Sequence, residues 1–188
     1  MLAKQLPTKE EPATMLTEDG KHLYVSSVEY HDLIEKLAIQ VHQSGWQFDT
    51  ILCLARGGMR PGDILSRIFE KPLAIMSTSS YRANAGTTQG HLDIAKYITT
   101  PQGEIAGRVL LVDDLADSGH TLEAVVRMLR DHYSPITELR TAVIWTKARS
   151  TFQADYSVEF LPTDPWIHQP FEGYDKMRPS ELLAKWKV

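Results

Sequence analysis

The sequence predicts an α/β domain with a mainly parallel central sheet flanked by helices. Three apolar runs support this fold class, at residues 48–55, 109–112 and 137–145. Unbroken aliphatic runs are typical of strands that are buried on both faces, as they are in parallel sheets. Helical patterns lie between the runs, and strands that alternate with helices favour parallel pairing.

The N-terminal part of the chain divides into an arm and the start of the domain. Residues 1–22 combine two prolines with mixed charges and predict an extended or poorly ordered arm. Residues 23–188 are expected to form one domain. Ser26 and Glu29 have the spacing of a capping box, which predicts a helix that ends near Gly45.

The elements that follow the first core strand are less regular. A helix carries Pro61 in its first turn, and a short strand is predicted at residues 72–76. Residues 77–107 have no clear periodicity, which indicates a functional loop or a flexible hairpin. Beyond the third apolar run, residues 156–160 predict an edge strand, and residues 182–186 indicate a short C-terminal helix.

Bulk properties restrict the class of protein. A chain of 188 residues is one ordinary domain, and its net charge of −4 argues against a nucleic-acid-binding protein. The seven histidines are scattered without metal-ligand spacing. No apolar run approaches the roughly 18 residues of a membrane-spanning helix, and no signal-peptide pattern opens the sequence. We therefore expect a cytoplasmic protein whose single cysteine, Cys53, is buried.

Polar residues follow each of the three predicted core strands. The Arg-Gly-Gly run at residues 56–58 follows the first strand, Asp113 and Asp114 close the second, and Lys147 follows the third. In open α/β sheets, ligands bind at the carboxyl ends of the strands. These segments are therefore the candidate site.

A short loop at residues 117–121 leads from the second strand to an amphipathic helix. Backbone N–H groups at such a helix N-terminus, together with the helix dipole, form an anion site. The preceding carboxylates, Asp113 and Asp114, suit either sugar hydroxyls or a hydrated Mg²⁺. The alternative is an ordinary strand-to-helix turn with a capping serine or aspartate.

The segment at residues 109–122 resembles the 5-phosphoribosyl-1-pyrophosphate (PRPP) motif of type I phosphoribosyltransferases. That motif has four apolar residues, two acids, and an acidic, small, glycine-containing loop that ends in threonine. The Arg-Gly-Gly run at residues 56–58 resembles the pyrophosphate loop of purine phosphoribosyltransferases. Ser80 and Tyr81 resemble the start of the mobile catalytic loop in bacterial xanthine-guanine phosphoribosyltransferases.

Two further segments of the chain resemble the base-binding segments of the bacterial xanthine-guanine enzymes. The matching segments are residues 146–148 (Thr-Lys-Ala) and residues 166–172 (Trp-Ile-His-Gln-Pro-Phe-Glu). Pro165 and His168 depart from that family's pattern, which leaves the preferred base undetermined. The resemblance covers residues 23–175.

The resemblance implies a fold, a reaction and partners. The fold is the type I phosphoribosyltransferase fold, with a flexible lid loop at about residues 79–107 and a small C-terminal hood at about residues 146–175. The reaction transfers the 5-phosphoribosyl group of PRPP to a 6-oxopurine (xanthine, guanine or hypoxanthine), giving a nucleoside 5′-monophosphate and diphosphate in purine salvage. Mg²⁺ is the implied cofactor, no nucleic acid is involved, and a homo-oligomer (dimer or tetramer) is expected.

Individual residues receive roles from the same resemblance. Asp117 is the expected catalytic residue, because a carboxylate there would face the purine N7 and transfer its proton. Asp113 and Asp114 would hold Mg²⁺, partly through ribose hydroxyls and water. Lys147 would read the 6-oxo group, Trp166 would stack on the ring, and Ile167 would complete the base site. The PRPP-binding set comprises Arg56, Gly57, Asp113, Asp114, Asp117, Ser118, Gly119, His120 and Thr121.

Two other functions stay open at this point. The first is a phosphoribosyltransferase for another base, which the departures at Pro165 and His168 motivate. The second is a non-catalytic PRPP-binding or nucleotide-binding regulator, because one fold often serves several functions. A PRPP synthetase is disfavoured, since the chain contains no ATP-binding motif.

Overall fold

The computed structural model describes residues 14–80, 92–101 and 103–186, with the backbone alone at residues 79, 80 and 92. Among these residues, no helix is long and apolar enough to cross a membrane. In chain order the elements are β1 (Met15–Leu16), β2 (His22–Tyr24), α1 (Ser27–Gln43), β3 (Thr50–Ala55), α2 (Met59–Ile68), β4 (Leu73–Ser80), β5 (Leu92–Ile94), β6 (Gly107–Val112), β7 (Leu115–Ala116), α3 (His120–His132), β8 (Ile136–Lys147), β9 (Tyr156–Leu161), β10 (Trp166–His168), α4 (Gly173–Lys176) and α5 (Pro179–Trp186).

The chain divides into two compact units. The large unit is Leu33–Asp164, and the small unit combines Met1–Asp32 with Pro165–Val188. The boundary at residues 164 and 165 falls inside the predicted hood, so the first part of that segment belongs to the large unit and the rest to the small one.

The large unit contains a mainly parallel sheet, as the sequence predicts. Its strand order is β5-β4-β3-β6-β8-β7, and β9 also pairs with β8. Among these strands, β5 alone runs antiparallel to its neighbour. The predicted edge strand is β9, which pairs with β8 in parallel.

The apolar strands and helices of this unit pack into one core. The strand residues Leu52, Leu54, Val109 and Leu111 are buried against α3 and the neighbouring strands. The predicted apolar face of α3 is buried as well, at Leu122, Val125, Val126 and Leu129. Cys53 is buried, as expected, and burial raises the pKa of its thiol to about 11.

The chain leaves the sheet briefly at the carboxylate pair. Strands β6 and β7 both pair with β8, and Asp113 and Asp114 lie between them. The N–H of Asp113 donates to the Ala142 carbonyl (3.1 Å), and the N–H groups of Ile144 and Trp145 both donate to the Asp114 carbonyl (3.1 Å each). The backbone at Asp113 and Asp114 therefore stays hydrogen-bonded to β8, although these two residues belong to neither strand. The two-residue strand β7 was not predicted, because two residues show no periodicity.

The predicted loop at residues 77–107 contains strand structure at both of its ends. Strand β4 continues to Ser80, past the predicted end at residue 76, and β5 pairs antiparallel with its last three residues. Ile75 also forms a bridge to Thr99. Residues 81–91 lie outside the described residues.

The small unit has its own three-stranded sheet. Strand β2 pairs antiparallel with β1 and parallel with β10. Strand β1 and the start of β2 lie within the predicted arm at residues 1–22, whose first 13 residues lie outside the described part of the chain. The predicted C-terminal helix is α5. Helix α1 begins as predicted, since the Glu29 N–H donates to Ser26 Oγ (3.1 Å).

Candidate active site

The polar segments predicted at the strand ends lie at one edge of the large unit's sheet. Arg56 follows β3, Asp113 follows β6, Asp117 follows β7, and Lys147 is the last residue of β8. These strands are parallel, so their carboxyl ends reach the same edge. The structure thus brings together segments that are up to about 90 residues apart in the sequence.

The turn after β3 packs directly against the carboxylate pair. The peptide bond between Ala55 and Arg56 is cis, and the Arg56 side chain is exposed. A Cβ added to Gly57 would lie only 2.7 Å from Cγ of Asp114. A larger residue here would push that carboxylate from its place, so Gly57 leaves room for the observed position of Asp114.

Asp113 and Asp114 form a half-buried pair of neighbouring carboxyl groups. The Asp114 N–H donates to Oδ1 of Asp113 (3.0 Å). Burial and then the neighbouring Asp114 charge raise the pKa of Asp113 well above its usual range. A cation would relieve this repulsion, and carboxylate oxygens are the ligands that Mg²⁺ prefers. The described residues contain no group of three or more His, Cys, Asp or Glu side chains placed to hold a metal. Two neighbouring carboxyl groups can supply only part of the coordination shell of Mg²⁺, so an ion bound here would take its remaining ligands from substrate and water.

The predicted phosphate loop is held by the segment that follows β8. Gly119 precedes α3 with a φ of 85°, and a Cβ there would lie 2.6 Å from the Phe152 nitrogen. Thr151 donates to the Ser118 carbonyl through its N–H (3.0 Å) and its hydroxyl (3.1 Å). His120 and Thr121 are the first two residues of α3. The loop backbone thus lies at the positive end of a 13-residue helix, where an anion is favoured.

Asp117, the predicted catalytic residue, contacts two cations. Its Oδ1 lies 3.1 Å from Nζ of Lys147 and accepts hydrogen bonds from Nε (3.0 Å) and Nη2 (2.5 Å) of Arg149. Partial burial alone would raise the pKa of Asp117. The hydrogen bonds and positive charges of Arg149 and Lys147 outweigh burial and hold the pKa below its ordinary value. Asp117 is therefore ionised at neutral pH and able to accept a proton.

Two residues at this edge received no role in the sequence analysis. Arg149 lies in the turn after β8, and Asp164 lies three residues beyond the end of β9. Asp164 Oδ1 is 3.0 Å from Nζ of Lys147, and its Oδ2 is 2.7 Å from Nη1 of Arg149. The only sequence signal is that both follow strand ends, as the recognised site residues do.

The predicted base-binding residues Trp166 and Ile167 lie in the small unit. Trp166 and Ile167 belong to β10; the Trp166 side chain is 47% exposed, and Ile167 is buried. The Trp166 Nε1–H donates to Oε2 of Glu172 at 3.4 Å. His168, which departs from the family pattern, stacks on Tyr24 with ring centroids 4.2 Å apart. The base-binding role of Trp166 and Ile167 stays a prediction.

The two predicted lid residues cannot be described in the same detail. Ser80 is the last residue of β4, where the backbone alone is described. Tyr81 lies outside the described residues. Their catalytic role also stays a prediction.

Known proteins match both the sequence and the fold. Residues 26–176 match the phosphoribosyl transferase domain family. The xanthine-guanine phosphoribosyltransferase of Ruegeria sp. (strain TM1040) is 28% identical over 127 residues, which cover 65% of this chain and 67% of that protein.

Two solved structures share the fold. The Helicobacter pylori xanthine-guanine-hypoxanthine phosphoribosyltransferase has a TM-score of 0.67 and 25% identity, covering 87% of this chain and 99% of that one. The purine phosphoribosyltransferase from Pyrococcus horikoshii Ot3 has a TM-score of 0.66 and 27% identity, covering 80% of this chain and 94% of that one.

These matches confirm the type I phosphoribosyltransferase fold that the PRPP motif implied. The family match spans most of the chain and contains the loop after β3, the carboxylate pair, the phosphate loop and Lys147. The chain belongs to the phosphoribosyltransferase family and is a PRPP-dependent pentosyltransferase.

Proposed function

We propose that the protein transfers the 5-phosphoribosyl group of PRPP to a 6-oxopurine: xanthine, guanine or hypoxanthine. The observation that carries the proposal is the contact of 3.1 Å between the ionised Asp117 carboxylate and the Lys147 ammonium. An anion that can accept a proton and a cation that can bind an oxo group are the two functional groups that an N7-protonated 6-oxopurine requires. The similar enzymes are named for purine substrates, which supports the same substrate class.

The remaining groups at this edge suit the parts of PRPP. The loop of residues 117–121 would bind the 5′-phosphate through its N–H groups and the dipole of α3. Asp113 and Asp114 would bind the ribose hydroxyls. The Arg56 guanidinium and the Gly57 backbone would face the diphosphate, because a phosphate can approach a glycine turn closely.

Asp113 and Asp114 would also hold Mg²⁺, and the proposal includes that ion as cofactor. Bound there, Mg²⁺ would neutralise charge on the leaving diphosphate. Half-burial keeps the two carboxylates close together at the strand end, ready to share a cation with the ribose hydroxyls.

In the transfer step, the bond from the ribose C1′ to the diphosphate oxygen breaks and a bond from the purine N9 to C1′ forms. The diphosphate leaves with the bonding electron pair. The base loses its N7 proton, which Asp117 accepts, so the product nucleotide is neutral at its ring. Lys147 would donate a hydrogen bond to the 6-oxo oxygen, and much of the rate should come from positioning these groups.

A base panel tests the proposal. Purified protein is incubated with PRPP, Mg²⁺ and, separately, hypoxanthine, guanine, xanthine, adenine or uracil, and diphosphate release is measured. We expect release with one or more 6-oxopurines. Release with adenine or uracil alone would instead support a transferase for another base. PRPP binding without any turnover would favour a regulator.

The role of Asp117 has its own test. Asp117→Asn removes the proton acceptor, so we expect kcat to fall by roughly 10²–10⁴-fold. The PRPP dissociation constant, measured by calorimetry, should change by less than about threefold, because the loop backbone remains. Asp131→Asn, an exposed change on α3, is the control. Equal losses of turnover and PRPP affinity would remove the acid–base role.

The cytoplasmic location and the homo-oligomer, a dimer or tetramer, remain predictions from the sequence.

A further inference from the structure

Four charged side chains form a closed ring at the carboxyl end of β8. Lys147 contacts Asp117 and Asp164, and Arg149 contacts the same two carboxylates, at distances between 2.5 and 3.1 Å. Anions and cations alternate around the ring, so its charges balance. Lys147 is only 5% exposed, which makes this an uncommon and costly place for a lysine unless the ring has a purpose.

The sheet topology explains how the ring forms. Trp145 of β8 pairs with Leu115 of β7 on one side and with Glu159 of β9 on the other. Asp117 follows β7 and Asp164 follows β9, so the two carboxylates reach Lys147 from opposite neighbours of its strand. The ring therefore depends on three adjacent parallel strands.

We propose that Arg149 and Asp164 are positioning residues of the transfer reaction. Arg149 holds Asp117 as an oriented carboxylate that accepts the base proton, and Asp164 aims the Lys147 ammonium at the 6-oxo oxygen. This inference rests on the proposed function and extends it to two residues that bind neither PRPP nor base themselves.

Asp164 restricts the position of the Lys147 ammonium group. An ammonium group has three N–H donors in a tetrahedral arrangement. Nζ lies 3.1 Å from Asp117 Oδ1 and 3.0 Å from Asp164 Oδ1, so two of its donors can serve these carboxylates and the third remains for the base. With Asp117 alone, the ammonium could rotate about a single contact. A base held by a fixed donor binds more tightly than one that must first order a flexible side chain.

Arg149 contributes a rigid and permanently charged guanidinium. Its Nε and Nη2 both donate to Oδ1 of Asp117, so two N–H groups of one rigid plane hold that oxygen in place and keep a positive charge beside it. Because a third nitrogen, Nη1, is held by Asp164, the guanidinium has a partner on each side. A lysine would keep the positive charge at this position but lose the planar pair of N–H donors.

The experiment compares pH profiles of kcat/KM for the base between about pH 4 and pH 9. Turnover of the wild-type protein is measured before that of the variants. If no 6-oxopurine is turned over, the proposed function is rejected, and the reaction that the ring would serve is rejected with it. The acid limb is the part of the profile where kcat/KM falls as the pH is lowered. In the active wild type, this limb should lie at or below about pH 4, since Asp117 is ionised above it. Arg149→Gln should move that limb up by about one pH unit or more, because a neighbouring cation typically lowers an aspartate pKa by about 1–3 units. Arg149→Lys should restore part of the shift.

Asp164→Asn tests the other half. We expect the KM for the base to rise by about tenfold, while the KM for PRPP and the acid limb change little. Arg127→Gln, which breaks an exposed pair with Glu123 on α3, is the matched control and should leave all constants unchanged.

Thermal unfolding identifies any variant that fails to fold. If Arg149→Gln is unfolded, the milder Arg149→Lys decides, with a smaller upward shift expected. An unmoved acid limb in a folded Arg149 variant, or an unchanged base KM in Asp164→Asn, would overturn the proposal.

Discussion

Replacing Lys147 with methionine is the most direct test of the ion-pair ring. Methionine has a similar length and no charge, so Lys147→Met removes the ammonium while leaving most of the volume filled. The two carboxylates that contact it, Asp117 and Asp164, would then keep Arg149 as their shared cation. The change thus converts a balanced ring into one with an excess negative charge.

The expected loss of stability follows from the contacts of Lys147. At an effective dielectric constant of about 20, each contact of 3.0–3.1 Å corresponds to roughly 5 kcal/mol of Coulomb attraction. Desolvation of the buried ammonium cancels most of it, and removing one member of a buried ion pair typically costs about 3–5 kcal/mol. Arg149 remains on both carboxylates, so we expect a loss of about 2–3 kcal/mol in the free energy of unfolding at pH 7. For a chain of this size the melting temperature should fall by roughly 4–12 °C.

The loss should also depend on pH. Arg149 and Lys147 together outweigh burial and depress the pKa of Asp117 in the folded protein. A depressed carboxylate pKa stabilises the fold fully above the unfolded pKa of about 3.9, and this stabilisation disappears as the pH falls through the folded pKa. Lys147→Met removes part of that contribution. The difference between wild type and variant should therefore be largest near neutral pH and shrink below about pH 4.

The assay is urea unfolding followed by circular dichroism at pH 7, pH 5 and the lowest pH at which both proteins refold. Lys176→Met, a change at an exposed lysine in α4, is the control and should alter stability by less than about 0.5 kcal/mol. A variant as stable as wild type at pH 7 would refute the reasoning, because it would mean that the ring's attraction and desolvation cancel. A loss that stays constant with pH would show that packing, rather than charge, is responsible.

Two glycine substitutions test the geometry around the substrate loops. Gly57→Ala places a methyl group against the Asp114 carboxylate and should weaken PRPP binding by about tenfold or more, as measured by calorimetry; an unchanged affinity would contradict the close approach. Gly119→Ala combines a φ of 85° with a clash at the Phe152 backbone and should lower the free energy of unfolding by about 2 kcal/mol or more. Gly45→Ala, with a φ of 71° but no atom within 4 Å, is the control and should lose only about 1 kcal/mol; equal losses in the two variants would exclude the clash.

Local patterns predicted most of the large unit. The aliphatic run before Asp113 reads as a buried parallel strand, and the structure places β6 in the middle of such a sheet. The apolar face of helix α3 is buried at the positions that the spacing of its apolar residues predicts. Strand β7 was not predicted because two residues show no periodicity, and the end of β4 was not predicted because its polar residues owe their pairing to a neighbouring strand.

The ion-pair ring was beyond prediction for a related reason. Lys147 came from a family resemblance, while Arg149 and Asp164 occur in loops whose composition is unremarkable for a surface turn. Their contacts with Asp117 exist because β7, β8 and β9 are neighbours in the sheet. Neighbouring strands are a property of the topology, and no local periodicity reports it.

The sequence by itself determined the fold class, the family through its PRPP-motif resemblance, and the segments that meet at one edge of the sheet, from Arg56 to Lys147. It could do so because burial of apolar runs, helix periodicity and loop chemistry depend on residues that are close along the chain. Only the tertiary structure decided which charges meet: that Gly57 packs on Asp114, and that Arg149 and Asp164 close a ring with Asp117 and Lys147. Those contacts join groups that are distant in the sequence but about 3 Å apart in space. At that distance, neighbouring charges and burial set the protonation state of a carboxylate.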